Sequence, residues 1–206
     1  TGCDECSAER CRSQGCCRNR MNHDNLLFRL RTETEPQHKS LEDALALMDA
    51  GLTLAHYQTL LQRFHAFWCD WQPLAHGLLR AEGDLLTERD RTPLLAQDLA
   101  FFGLPHLIPA ERPMPVLADA DAALGSLYVM EGSTLGGQVI ARHLERHLGL
   151  TDGNGYRYFQ GYGPRNGPMW AAMRAKLALV PAESTAADRA VAAAAETFSL
   201  LRQRLG

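Results

Sequence analysis

The run LGSLYVMEGSTLGGQVIARHLERHL, residues 124–148, decides the fold. Leu124, Leu127, Tyr128, Met130, Leu135, Val139, Leu144 and Leu148 recur at spacings of three, four and their sums, which suits a buried amphipathic helix and not a strand. Gly132, Gly136 and Gly137 contradict that pattern, since each interior glycine costs a helix roughly 1 kcal/mol relative to alanine. Two explanations are open. Gly132 and Gly136 lie four apart on one face and would let a neighbouring backbone approach closely. Alternatively the flat face of a large ligand lies against the bare backbone, with the helix bending where Ser133, Thr134 and the Gly pair loosen it. Glu131, Gln138 and Arg142 interrupt the apolar run well short of a membrane span.

The segments on either side are read outward from this helix. Asn25 to Leu30 starts a helix that Pro36 interrupts, and a restart follows in which Thr34 or Glu35 caps, Pro36 fits the first helical position, and His38, Leu41, Leu45 and Met48 continue along one face. That face places His38 toward the core. A further helix runs from about Thr53 to Trp71, with Leu54, Tyr57, Leu61, Phe64 and Trp68 on its buried stripe and Pro73 ending or bending it. Thr92-Pro93 opens a helix that Gly103 terminates, and a proline-rich connector follows from Leu104 to Pro115. Thr151 to Gly167 reads as a long loop whose Tyr156, Tyr158, Phe159 and Tyr162 pack locally. A short helix around Met169 to Leu179 ends before Pro181, and the last begins at Thr185, with Asp188 three residues on as a capping-box variant, and runs to Leu205. No segment alternates with period two, so the predicted fold class is all-α: a single-domain helical bundle.

Composition bounds the function. The chain has 206 residues, 46% hydrophobic and 22% charged, the profile of one globular domain with a sizeable core. A net charge of -3, with Arg and Lys spread along the chain, gives no electrostatic basis for binding nucleic acid or an anionic membrane surface. No signal peptide or spanning segment is visible, which predicts a cytoplasmic protein. Cys3, Cys6, Cys11, Cys16 and Cys17 crowd the amino terminus and only Cys69 lies in the body, which argues against a disulfide-built fold. Cys3-x-x-Cys6 with Cys11 and Cys16 has spacings that could hold zinc, but the segment lacks a core. Because Met21 opens a normal-looking start, residues 1–20 are expected to be a disordered or non-native tail and residues 21–206 the domain.

Of the histidines, His143 and His147 lie four apart, a spacing that can grip one metal, but Glu145 is at the wrong offset for a zinc-hydrolase base. Glu35-x-x-His38 suggests a di-iron ligand motif, which a four-helix bundle needs twice; no other histidine has Glu three residues before it. A haem requires less: one neutral imidazole on an apolar face, a second helix to shape the opposite side, and a cation or hydroxyl near the propionates.

Tyr128-Val-Met-Glu-Gly-Ser-Thr-Leu-Gly-Gly-Gln138 resembles the distal-helix motif of haem oxygenases, in particular the bacterial biliverdin-producing branch. Matches at the segment around His38 and the C-terminal helix around Phe198 occur in the expected order. The resemblance implies a bundle with haem between a proximal helix and a bent, glycine-rich distal helix. It implies His38 as the iron ligand, followed by an acid in His38-Lys-Ser-Leu-Glu42, and Gly132, Ser133, Gly136 and Gly137 on the oxygen side. Arg31 and Tyr128 are the implied propionate partners, with Arg174 and Lys176 weaker candidates on the following helix, and Phe198 packs at the haem edge. At Ser133 the chain departs from the Asp of animal haem oxygenases, so water held by Ser133, backbone carbonyls or Gln138 would replace that acid. The implied activity is cleavage of haem b, as substrate and cofactor, to biliverdin, iron and carbon monoxide. No dinucleotide fingerprint or iron-sulfur pattern is present in the body, so electrons would come from a separate ferredoxin- or flavodoxin-type donor. A bacteriophytochrome is an implied acceptor of the biliverdin. The alternative from another class is a haem-binding protein that stores, carries or senses haem without degrading it.

Overall fold

The computed structural model describes residues 25–80, 85–107 and 113–206. The cysteine-rich tail, its zinc spacing and the Met21 start lie outside these, as does the middle of the connector. Among the described residues there are eight α-helices: α1 (Leu26–Glu33), α2 (Glu35–Leu45), α3 (Leu54–Leu79), α4 (Thr92–Phe101), α5 (Ala120–Leu148), α6 (Arg157–Gln160), α7 (Asn166–Leu177) and α8 (Thr185–Leu205). No named strand occurs among them, and no helix is long and apolar enough to cross a membrane.

Local chemistry sets the boundaries. Asn25, Thr53, Asp119 and Ser184 each turn a side-chain oxygen onto a backbone N–H of the first turn, at 2.9, 3.2, 2.9 and 3.1 Å respectively. Gly149 ends α5 in the left-handed region, at φ +68°. The expected break before Pro36 is a single residue: Thr34 separates α1 from α2, and its buried hydroxyl donates to the Leu30 carbonyl at 2.5 Å. The last helix starts as expected, but its cap is Ser184. Asp188 closes no capping box; it binds Arg29 of α1 at 2.8 Å and ties the two helices together.

Three further expectations are corrected. Pro73 does not end α3, which continues to Leu79 through the proline at the loss of one hydrogen bond, and the buried Trp71, Ala75 and Leu79 hold the segment in the core. Val139 and Met48 are exposed, the first on the outer face of α5 and the second beyond the end of α2. Tyr156, Tyr158 and Phe159 do not pack locally but are almost fully buried in the main core against Tyr57, Phe64 and Trp68. The segment around them folds into α6 and a 3-10 turn, Gly163–Arg165, because the aromatics have a core to enter.

The centre of the bundle is the α5–α8 pair. Helix α8 packs along α5 and also contacts α1, α2 and α3. The alanine block of α8 is its packing face: Ala187, Ala190, Ala193 and Ala194 are buried. Opposite it, a Cβ built on Gly125 would stand 1.9 Å from the Ala190 carbonyl oxygen, so only glycine permits this approach. One turn away a chain of hydroxyls pins three helices. Trp71 Nε1 donates to Ser126 Oγ at 2.8 Å, Ser126 lies 2.7 Å from Thr197 Oγ1, and Thr197 donates to the Ala193 carbonyl at 2.7 Å. Since the Thr197 proton is committed to Ala193, Ser126 donates to Thr197, and every group in the chain is satisfied.

The tightness of this crossing has a measurable consequence. Gly125→Ala gains helix propensity yet must push α8 away, so it is expected to lower unfolding stability by about 2 kcal/mol, the usual scale for overpacking. Urea denaturation checks this; a stability equal to or above wild type would show that α8 shifts without cost.

Candidate functional site

The glycines of α5 divide into two kinds. A Cβ on Gly137 would stand 2.4 Å from the Phe159 carbonyl oxygen, so Gly137 is a packing glycine against α6. A Cβ on Gly132 or Gly136 meets no atom within 4 Å among the described residues. The close packing expected at Gly132 and Gly136 is therefore corrected: the packing glycine is Gly137, and Gly132 and Gly136 leave a bare open face. The cluster does not break α5, which is continuous from Ala120 to Leu148. Ser133 Oγ donates to the Met130 carbonyl at 3.0 Å and Thr134 Oγ1 donates to that of Glu131, side-chain bonds that keep polar groups satisfied where the glycines remove cover.

His38 does not sit in the core. Its side chain is 55% exposed, with Nε2 3.4 Å from Glu42 Oε1, and its ring lies 5.4 Å from that of the buried Phe198 on α8. The apolar stripe of α2 faces α8 through Leu41 and Leu45, while His38 stands at the margin of that contact. The ring is thus positioned by an aromatic neighbour and open to an incoming ligand. Arg31 on α1 is exposed, with no ion-pair partner among the described residues. It acts on Tyr128 of α5, whose hydroxyl burial pushes up while the Arg31 charge opposes the shift. Tyr128 also lies 6.1 Å, ring to ring, from Trp170 of α7. Arg174 is exposed on α7.

A buried polar layer behind the glycine stretch was not foreseen. Arg89 and Glu131, both almost fully buried, form an ion pair. Tyr162 donates to the other Glu131 oxygen at 2.5 Å, and Arg89 donates to the Met169 carbonyl at 2.9 Å. Arg91, with no exposed surface, donates to Ser133 Oγ at 2.8 Å and to the Tyr158 carbonyl, and stacks 4.1 Å from the centre of the Tyr158 ring. One signal in the sequence pointed here: Leu127, Glu131 and Thr134 share a helical face, so the acid falls on the buried side.

The remaining histidines lie elsewhere. His143 and His147 stack in parallel, 5.1 Å apart and 12° from coplanar, with His147 Nε2 3.1 Å from the Leu52 carbonyl. His65 is buried beside His106, which together with burial lowers its basicity. No group of three metal-ligating side chains capable of holding an ion occurs among the described residues. An iron porphyrin brings most of its iron's ligands with it and needs from the protein one imidazole and an unobstructed face; His38 is an exposed imidazole, and Gly132 and Gly136 are an unobstructed stretch of backbone. The residues present fit the group.

Solved heme oxygenases share the fold: that of Neisseria meningitidis, in NO- and CO-bound forms, at a TM-score of 0.71 and 21% identity over 88% of this chain and 90% of that one. The enzyme of Leptospira interrogans gives 0.70 and 20% identity, with 88% and 98% of the chains covered. Heme oxygenase-2 of Synechocystis sp. PCC 6803, solved with heme and NO, gives 0.70 and 19%, with 88% and 84% covered. The fold is thus that of the haem oxygenases. In sequence, residues 112–205 match the heme oxygenase family profile. A heme oxygenase of Xanthomonas campestris pv. campestris (strain 8004) is 38% identical over 106 residues, 50% of this chain and 61% of that protein, so the match spans less than two thirds of the relative. The carboxy-terminal half of the chain thus resembles the haem oxygenases in sequence, and the chain resembles them in fold.

The short helix α6, which abuts Gly137 and supplies the Tyr158 carbonyl to Arg91, is held by one carboxylate. Asp98, fully buried on α4, accepts from the Arg157 and Tyr158 backbone N–H groups at 2.8 and 2.9 Å. Burial raises its carboxyl from 3.8 to about 6, against the lowering effect of those two donors and of the Arg157 charge. The folded state therefore holds this proton more tightly than the unfolded chain, and stability from this group falls as pH rises from about 4 to about 6. On going from pH 4 to pH 7 the wild type is expected to lose on the order of 2 kcal/mol relative to Asp98→Asn, whose fixed cost is independent of pH. Urea unfolding of both proteins at the two pH values measures the difference; a constant gap would mean that Asp98 titrates alike folded and unfolded.

Proposed function

We propose that this chain is a haem oxygenase enzyme that binds haem b between α2 and the open face of α5 and converts it, with oxygen and an external reductant, to biliverdin, iron and carbon monoxide. The observation that carries the reading is the bare pair Gly132 and Gly136, set within the family motif, with no atom of the described residues where a side chain would lie. Bound haem supplies both the iron at which oxygen is activated and the porphyrin that is oxidised.

The protein's own contribution is positional. His38 offers a neutral imidazole nitrogen as the iron ligand, and Phe198 limits where that ring can turn. Gly132 and Gly136 leave the distal side clear over one turn of helix, while Gly137 anchors that turn against α6. Arg31 supplies a cation and Tyr128 a hydroxyl, groups suited to a carboxylate, and Arg174 is a further cation on α7. The Ser133 hydroxyl gives its proton to the Met130 carbonyl, so it serves as an acceptor toward water and not as an acid. Electrons reach the site from a separate ferredoxin- or flavodoxin-type protein, and the biliverdin is suited to supply a bacterial phytochrome.

Haem added to the purified full chain, followed by a ferredoxin system in air, tests the activity. Loss of the Soret band with growth of biliverdin absorbance is the expected course; a stable haem spectrum would instead identify a haem carrier or sensor. His38→Ala is expected to lose the histidine-ligated spectrum and to reduce turnover on the order of 100-fold, with both partly restored by added imidazole. His143→Ala and His147→Ala should leave both intact, and a wild-type spectrum in His38→Ala would assign the ligand elsewhere.

Gly136→Leu places a side chain in the open volume. Turnover should fall at least tenfold, as expected when a bulky group enters a close-fitting site, while the His38-ligated spectrum survives. Unchanged turnover would mean that the open face of α5 takes no part.

A further inference from the structure

Arg91 is the most unfavourably placed charge among the described residues. It is fully buried, it directly precedes α4 at the end where the helix dipole is already positive, and no carboxylate among the described residues pairs with it. The other buried arginines are compensated: Arg89 by Glu131, and Arg204 by Asp70 at 2.6 Å. The Arg91 Nε atom is buried and without a hydrogen-bond partner. What holds the guanidinium is the face of Tyr158, the Tyr158 carbonyl and the Ser133 hydroxyl. Burying an unpaired cation costs several kcal/mol, and simple packing of this volume would be achieved better by an apolar side chain.

The hydrogen bonds of Ser133 show what the charge does. A serine hydroxyl has one proton and two lone pairs. The proton goes to the Met130 carbonyl at 3.0 Å and one lone pair receives Arg91 Nη1 at 2.8 Å. Only one lone pair remains, on a half-buried side chain between Gly132 and the turn that carries Gly136. Glu131, the adjacent acid, is neutralised by Arg89 and held by Tyr162, so it does not cancel Arg91.

We propose that Arg91 is a positioning residue for the oxygen side of the site: its guanidinium fixes Ser133 as a pure acceptor, which orients a water toward the open glycine face, and it gives that face a fixed positive charge. The proposal rests on the haem-binding reading above. It assigns to a buried cation the organising role for which this chain has no acid at position 133.

An anionic probe separates this role from a structural one. Azide is titrated into the ferric haem-loaded full chain at fixed pH, and carbon monoxide into the reduced form serves as the neutral control. Arg91→Gln is expected to weaken azide binding about tenfold, the scale of one screened charge at close range, with carbon monoxide binding changed less than about twofold. Arg91→Lys, which keeps the charge, should stay within about threefold of wild type for azide. Ser133→Ala should also weaken azide, and the double variant should bind it no more weakly than Arg91→Gln alone, because the two act through one hydrogen bond. Equal weakening of azide and carbon monoxide in Arg91→Gln, or additive effects in the double variant, would overturn the proposal. Should Arg91→Gln fail to fold, Ser133→Ala decides: unchanged azide affinity there overturns it as well. If the wild-type chain takes up no haem, the haem-binding reading itself fails and this inference with it. Haem uptake with an azide affinity indifferent to Arg91 removes only the positioning role.

Discussion

The close crossing of α5 and α8 is the constraint on which the rest depends. At Gly125 the backbone of one helix lies against the backbone of the other, closer than any side chain allows. The buried alanines of α8 extend that contact, and the Trp71, Ser126 and Thr197 chain fixes its register. Because α8 also carries α1 and α2, the helix with His38 and the helix with the open glycines are referred to one common support. Neither packs extensively on the other.

The second organising element is a division of labour around α5. One side meets α8, and a second, through Gly137, meets α6 and the aromatic core. A third, at Gly132 and Gly136, meets nothing among the described residues. Buried polar groups are concentrated behind the same two turns, where Glu131, Tyr162, Arg89, Arg91 and Ser133 form a satisfied layer apart from the Arg91 Nε atom. Such a layer rigidifies the helix where its propensity is weakest, since each of its members is held in one geometry by its neighbours.

Most of the architecture was legible because it rests on local signals. The all-α class, the break at Pro36, the stop at Gly149 and the long last helix follow from periodicity, proline and caps. What was not legible depends on what a face meets. Periodicity put His38 on the apolar side of its helix but could not say whether that side met core or cleft, and the ring is half open to solvent. Spacing alone could not sort Gly132 from Gly137, which differ only in what stands opposite. The aromatics of 156–162 lie among loop-forming residues, so their burial came from the core that receives them and not from their own segment. Arg89 and Arg91 drew no reading at all, because nothing near them in sequence reveals the acid or the ring they meet.

The open face also bears on how this chain changes under selection. Gly132 and Gly136 are helical, unobstructed and, unlike Gly125, free of any neighbour that an alanine methyl would strike. Each is thus a position where a common mutation raises helix propensity by roughly 1 kcal/mol at no cost in packing. A laboratory lineage screened only for heat tolerance should accumulate alanine at these two sites early, and it would close the cleft while its melting temperature rose. Glycine at both positions therefore forgoes that gain in helix stability and keeps the face bare.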